Sequence, residues 1–422
     1  MGRAVQKHLT PKKRVDRVSR CALCRGTKML CGKARCPVLV RFSATQKTRS
    51  AVSSLHLGGA SPPGVFVGRF GYPKVALGPM IPPIGGDTSL IDAPERWLSH
   101  SLDDIVGFRS QLVRGKSVVG VNDVEGGGKL VEFTRELSLA KNPVFAEAVF
   151  EKKPRGVTQF FSDAQPMGPS APMKSLDISN PKYEPHLEKV LYDTDLGSRQ
   201  GLLDVYKSGV PLSQMQRAFS MGVFGQKKNR RFVPTRWSIT AIDSTLGLQL
   251  LEKTKTMRLL DEYLVFRLVQ FDNRWLVVLL PSEWRYELIE AWYPKTAWNQ
   301  FGSSISIFNS YEFFEGRKEY AEIGGCYYAA RLAVNEYLHK INRQAGCVIL
   351  REAHPGYIMP IGVWNVRECV RQALREEPLR CESLSEVFNL VSEVMDIPMS
   401  RWMRNSAVFS DRMHQRRLED FL

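Results

Sequence analysis

Apolar positions along this chain fall into runs of two kinds, and the elements follow from them. Tyr263-Leu-Val-Phe-Arg-Leu-Val-Gln-Phe271 and Trp275-Leu-Val-Val-Leu-Leu280 are rich in β-branched and aromatic residues and flank the polar Asp272-Asn273-Arg274. They predict a β-hairpin with a short turn, placed in a central sheet. Short β-type runs also start at Val65 and Lys74, separated by Gly71-Tyr72-Pro73 and followed by a Gly/Pro loop, and Cys347 to Leu350 reads as another strand. Helical 3–4 spacing marks residues 283–292, 327–341 (ended by Gly346) and 364–376. Ser383-Leu-Ser-Glu386 is a capping box opening a further helix, with Leu384, Val387, Phe388, Val391 and Val394 inward. Residues 43–63 read as a Ser/Thr/Gly/Pro linker, 153–185 as an extended excursion, and 233–240 as the way into a strand.

The expected fold is therefore α+β: a mixed central sheet with helices, then a helical C-terminal region. The expected divisions are a head (1–50), an N-terminal region (51–290), a C-terminal region (291–410) and a flexible tail (411–422).

Charge changes this picture. The net charge of the 422 residues is +16, yet residues 1–50 alone hold 14 Lys and Arg against one acid, Asp16. A basicity so concentrated points to a head that faces nucleic acid. The N-terminus has no apolar signal core, and the longest apolar run, Trp275 to Leu280, is far short of a membrane span. A cytoplasmic, DNA-associated protein without a membrane partner is expected, and its cysteines should be thiols or metal ligands.

Cys21, Cys24, Cys31 and Cys36 supply the candidate chemistry of the head, in the spacing C-x2-C-x6-C-x4-C. A close first pair and a returning second pair can complete a thiolate tetrahedron around one structural zinc ion, giving a zinc-finger-like head. An iron–sulfur cluster is the rival occupant. Arg25, Lys28, Lys33 and Arg35 offset the thiolate charge and could also meet phosphates. Cys326, Cys347, Cys369 and Cys381 lie far apart in apolar contexts and read as buried thiols.

The internal nucleic-acid candidate runs from Lys227 to Trp237. Lys227, Lys228, Arg230, Arg231 and Arg236 interleave there with Phe232 and Trp237, pairing cations for phosphates with rings for bases. Arg69, Tyr72 and Lys74, within a Gly/Pro-rich stretch, form a second place where backbone could approach a ligand. Gly115-Lys116-Ser117 is no phosphate loop, because Ser110 stands where the motif requires glycine. Asp87, Asp92, Asp103, Asp104 and Asp243 are the available acids, without a spaced pair that demands a metal. Arg351, Glu352 and His354, in a loop after a strand, could form an acid–base site. No catalytic residue is assigned.

The chain closes on Gln415-Arg-Arg-Leu418-Glu-Asp-Phe421-Leu422. One tight helical turn puts Leu418, Phe421 and Leu422 on one face, with the Gln415 amide beside it. That is the spacing of a sliding-clamp-binding peptide.

Several of these stretches resemble the archaeal Nre family, implicated in DNA repair. The residues that match are Cys21-Ala-Leu-Cys24 in the four-Cys head, Val67-Gly-Arg-Phe-Gly-Tyr-Pro73, Val233-Pro-Thr-Arg-Trp-Ser-Ile-Thr240, Gly362-Val-Trp-Asn-Val-Arg-Glu368 and the tail. The resemblance implies a zinc-finger-like head, N- and C-terminal Nre regions, and binding to the archaeal sliding clamp (PCNA) through Gln415, Leu418, Phe421 and Leu422. Leu422 stands where the commonest clamp peptides carry a second aromatic. The functional expectation is a repair factor that binds DNA and joins the clamp. A DNA-processing enzyme at the clamp (a nuclease or a base-modifying transferase) is the alternative, and an RNA-associated protein the third.

Overall fold

The computed structural model describes residues 23–33, 35–46, 48, 51–156 and 165–414. Its strands form two mixed six-stranded sheets rather than one central sheet. The first holds β1 (His56–Ser61), β2 (Val65–Val67), β3 (Lys74–Ile81), β4 (Val113–Gly120), β5 (Val144–Phe150) and β6 (Ser170–Ile178), in the order β1-β5-β6-β4-β3-β2. Only β4 and β6 run parallel. The second holds β7 (Tyr263–Gln270), β8 (Asn273–Leu280), β9 (Tyr286–Trp292), β10 (Ser306–Glu312), β11 (Gly346–Ala353) and β12 (Leu379–Cys381), in the order β10-β9-β11-β8-β7-β12. Here β9 and β11 are the parallel pair.

Twelve α-helices lie among the described residues. They are α1 (Pro37–Gln46), α2 (Leu102–Gln111), α3 (Gly128–Leu139), α4 (Pro185–Tyr192), α5 (Ser198–Lys207), α6 (Leu212–Ser220), α7 (Thr235–Thr254), α8 (Gly325–Ile341), α9 (Trp364–Ala373), α10 (Leu384–Val394), α11 (Met399–Asn405) and α12 (Ala407–His414). None of these helices is long and apolar enough to cross a membrane.

The dense apolar runs become the middle of the second sheet because both its faces are covered. On one face Trp275, Val277, Leu279 and Ile349 pack against Tyr327, Ala330 and Val334 of α8 and Val366 and Val370 of α9. On the other, Leu276, Val278, Leu350 and Ile289 pack against Val387, Val391, Trp402 and Phe409 of the C-terminal helices. A strand buried on both faces reads as a continuous apolar run. The predicted hairpin is there, with Phe271 and Asp272 at positive φ in its turn. The Ser383 cap is there too, its hydroxyl accepting from the Glu386 amide, while the Glu386 carboxylate accepts from the Glu382 amide one residue before the cap.

Several expectations are corrected. Residues 283–292 hold strand β9 and not an amphipathic helix. The two glutamates of the strand, Glu287 and Glu290, are buried and satisfied. Glu287 accepts from the Ala407 and Val408 amides at the start of α12, and Glu290 pairs with Arg351 at 2.7 Å. The 43–63 linker contains strand β1, which pairs along its length with β5, and the 153–185 excursion contains β6. The C-terminal region is not only helical, since β10, β11 and β12 belong to it. Asn342, in the left-handed conformation, ends α8, while Gly346 begins β11. Arg351 and Glu352 therefore lie within that strand and not in the loop beyond it. Residues 235–240 open a helix, α7, rather than a strand.

That helix joins the two halves. Ile242 and Leu246 of α7 pack with α4, α5 and α6, while Leu251 reaches the core of the second sheet. Arg367 of α9 grips both oxygens of the buried Asp243 of α7 at 2.9 Å, fixing the rotation of the helix. Its first turn carries the surface described next.

Candidate nucleic-acid interface

Two segments far apart in sequence meet at the start of α7. The β2–β3 connection arrives from the first sheet, turned at Gly71 (φ 92°), a conformation that favours glycine. The Val67 amide donates to Thr235 Oγ1 at 2.8 Å, which ties this connection to the first residue of α7. Tyr72 then lies against Trp237, with ring centroids 5.2 Å apart and planes tilted by 55°. Both rings remain open to solvent, Tyr72 at 48% and Trp237 at 44%, and neighbouring Phe70 stands out at 85%.

The cations of the surface are Arg69, Lys74 and Arg236. Arg69 sits over the Phe70 ring at 5.3 Å. Its pKa is lowered, first by partial burial and then by repulsion from the Arg236 guanidinium. The two guanidinium groups are thus close enough to repel, and among the described residues neither has a carboxylate within salt-bridge reach. The Tyr320 hydroxyl, beside Thr240 and Arg236, extends the aromatic rim. The positive end of the α7 dipole adds to the local potential. Exposed rings and unpaired guanidiniums are the pieces that stack bases and meet phosphates.

Of the seven residues singled out between 227 and 237, the structure brings only Arg236 and Trp237 to this surface. Lys227 and Lys228 are exposed on a single 3-10 turn, and Arg231 is exposed beyond it. Arg230 is 9% exposed and structural. Its guanidinium donates to the carbonyls of Val190, Leu191 and Asp193 at the C-terminal end of α4, and to that of Gly225. A cation there satisfies the carbonyls that a helix end leaves open. Phe232, 1% exposed, belongs to the core of the first sheet and cannot stack on a base. Arg69 and Tyr72, read in the sequence as a separate ligand-approach segment, join this site, and Phe70 comes with them.

The head contributes less free charge than its composition promises. Lys33 is buried, its ammonium donating to the Lys295 carbonyl at 2.6 Å and the Ile358 carbonyl at 3.4 Å. Arg35 pairs with Asp103 at 2.6 Å. Of the four head cysteines, Cys21 lies outside the described residues. Cys24 is buried, and its thiol pKa is lowered chiefly by the Leu30 amide, with help from those of Gly26, Lys28 and Met29. Amides aimed at sulfur favour the thiolate that a metal needs. The described thiols, Cys24, Cys31 and Cys36, are nevertheless not drawn together to within 4.8 Å of one another. Gln415, Leu418, Phe421 and Leu422 also lie outside the described residues.

The remaining acids have structural partners. Asp92 pairs with Arg217 at 2.8 Å, Asp104 completes the capping box at Ser101, and Asp87 accepts from the Ser89 amide. Arg351 is held between Glu290 and the rings of Trp275 and Trp292.

Comparison with known proteins follows the same two regions. The family model described as "Archaeal Nre, N-terminal" matches residues 30–299, and "Archaeal Nre, C-terminal" matches residues 312–421. The chain belongs to the archaeal Nre family. Among Nre relatives, the DNA repair protein NreB of Archaeoglobus fulgidus is 40% identical over 404 residues, covering 95% of this chain and all of the relative. The DNA repair protein NreA of the same organism is 36% identical, covering 88% of this chain and 93% of its own length. The Haloferax volcanii protein of that name is 33% identical, covering 83% and 86%. The Nre matches take in both segments of the α7 surface.

Proposed function

We propose that this Nre protein is a DNA repair factor that holds DNA at the surface around the start of α7 and is recruited to the archaeal sliding clamp by its C-terminal peptide. The observation that carries this reading is the meeting of Arg69, Phe70 and Tyr72 with Arg236 and Trp237 on one exposed face. Relatives along nearly the whole chain carry the name DNA repair protein. Rings that are open on one side suit unpaired bases, since stacking needs a free base face. The guanidiniums would bind phosphates and so give affinity that falls with salt.

The clamp contacts in this reading are Gln415, Leu418, Phe421 and Leu422. Support comes from their spacing and from the family match, which runs to residue 421. The peptide directly follows α12, which is anchored through Phe409 in the core and through Arg285 paired with Asp411. One structural zinc on Cys21, Cys24, Cys31 and Cys36 would fold the head, drawing on the amide-surrounded Cys24 thiol as a first ligand.

A single binding experiment with two variants tests the proposal. Trp237→Ala should weaken binding to a DNA carrying an unpaired stretch by about five- to hundredfold, the loss of about 1–3 kcal/mol per stacked base. Deleting residues 415–422 should abolish clamp binding and leave DNA affinity unchanged. Retained clamp binding after the deletion, or unchanged DNA affinity in Trp237→Ala, contradicts the corresponding half.

A further inference from the structure

The end of β11 carries a group of side chains that DNA binding does not use. Glu352 is the penultimate residue of the strand, His354 follows it, and Asp396 comes from the segment just after α10. His354 Nε2 lies 3.2 Å from Glu352 Oε2 and 3.9 Å from Asp396 Oδ2. All three ligand-capable atoms lie within 4.8 Å of one another.

Each side chain is oriented from behind. Glu352 Oε1 accepts from the Ile397 amide at 2.8 Å, while Oε2 accepts from the Asp396 amide at 3.2 Å and also faces the histidine. Asp396 Oδ1 is bound by Arg274 at 2.7 Å, leaving Oδ2 toward the same point. The His354 ring stacks on Tyr293, centroids 4.3 Å apart and planes 24° apart. Outer contacts that orient a carboxylate while an oxygen still faces the common point are what a metal-ligand set requires.

A second observation is independent of that geometry. Glu352 is fully buried, and among the described residues the sole cation-capable side chain within salt-bridge reach of it is His354. Asp92, Asp243, Glu290 and Glu312 have arginine partners, and the buried Glu287 instead accepts four hydrogen bonds from Asn309, Ser406 and the Ala407 and Val408 amides. A buried carboxylate needs a compensating charge or a full set of hydrogen bonds, and Glu352 has two backbone donors and no arginine.

We propose that Glu352, His354 and Asp396 bind one divalent transition-metal ion, separate from any metal of the cysteine head. Ligands about 2.0–2.2 Å from an ion sit about 3–3.5 Å apart, so only the half-exposed Asp396 carboxylate has to close in. The imidazole favours zinc, cobalt or manganese over magnesium or calcium. Three protein ligands, one of them facing solvent, leave positions for water. The ion would also tie the end of α10 to the second sheet.

The test uses the full chain, given one equivalent of zinc per chain for the thiolates to take first, then titrated separately with Mn²⁺ (read by the free-ion EPR signal) and Co²⁺ (read by visible absorption). Wild type should take up one further ion of at least one of these metals, with no thiolate-to-cobalt absorption. Binding should weaken by at least about tenfold in His354→Ala and in Asp396→Asn, and persist in Tyr293→Phe. Asp396 is 46% exposed, so Asp396→Asn keeps the test decisive even if the histidine variant folds poorly. Failure of wild type to bind either ion overturns the proposal. Undiminished binding in Asp396→Asn overturns it as well.

Discussion

At the scale of single residues, adjacent arginines in this chain do different work. Arg230 closes the end of α4 from inside, whereas Arg236 faces solvent beside Arg69. Arg230→Ala would leave buried carbonyls without donors, at a cost of about 2–4 kcal/mol in a denaturation experiment. The salt dependence of its DNA binding should match wild type. A stable Arg230→Ala protein with a flattened salt dependence would place this residue on the DNA and contradict the assignment. No residue pattern distinguishes the two arginines in the sequence, because what buries Arg230 is the end of a helix about forty positions earlier. Trp237 and Phe232 differ for the same reason: one is an exposed first-turn residue of α7 and the other a core residue of the first sheet.

At the scale of elements, what was legible depended on where polar groups end. The hairpin β7–β8, the helices α8 and α9 and the capped α10 show in the sequence because their patterns are complete within a few residues. Strand β9 does not, since its glutamates are satisfied by a helix start and an arginine that lie far along the chain. Strand β1 was hidden by its composition, His-Leu-Gly-Gly-Ala-Ser, and exists through its pairing with β5. Of the interface, the Arg236–Trp237 half was legible as interleaved charge and aromatics. The Arg69–Tyr72 half needed the Val67–Thr235 hydrogen bond to place it.

The head is an element whose cysteines are legible and whose folding depends on what they bind. Changing both Cys21 and Cys24 to Ser should remove one zinc per chain in metal analysis. It should also loosen the contacts that Lys33 and Arg35 make with the body. Zinc content that stays at the wild-type value, or an iron-containing wild-type protein, would contradict the zinc assignment.

At the scale of the whole molecule, two sheets are joined through α7, with Asp243 and Arg367 fixing it against α9 and Ile242 and Leu246 packing it on the helices beside the first sheet. The proposed DNA surface stands where the β2–β3 connection crosses the beginning of that helix, so both halves of the protein set its geometry. The C-terminal peptide starts beyond a helix rooted in the other sheet. A clamp bound to the peptide and DNA held at α7 would then engage separate parts of one body, which gains effective concentration from the linkage.

The central claim is that Arg69 and Arg236 hold DNA through its phosphates. It is tested most directly by measuring DNA affinity against salt concentration for wild type and for the double variant Arg69→Ala/Arg236→Ala. Two lost contacts on a single strand should reduce the slope of log affinity against log salt by about 1.4, at about 0.7 per phosphate. Trp237→Ala should lower affinity with the wild-type slope. A double variant whose slope equals that of wild type would contradict the account.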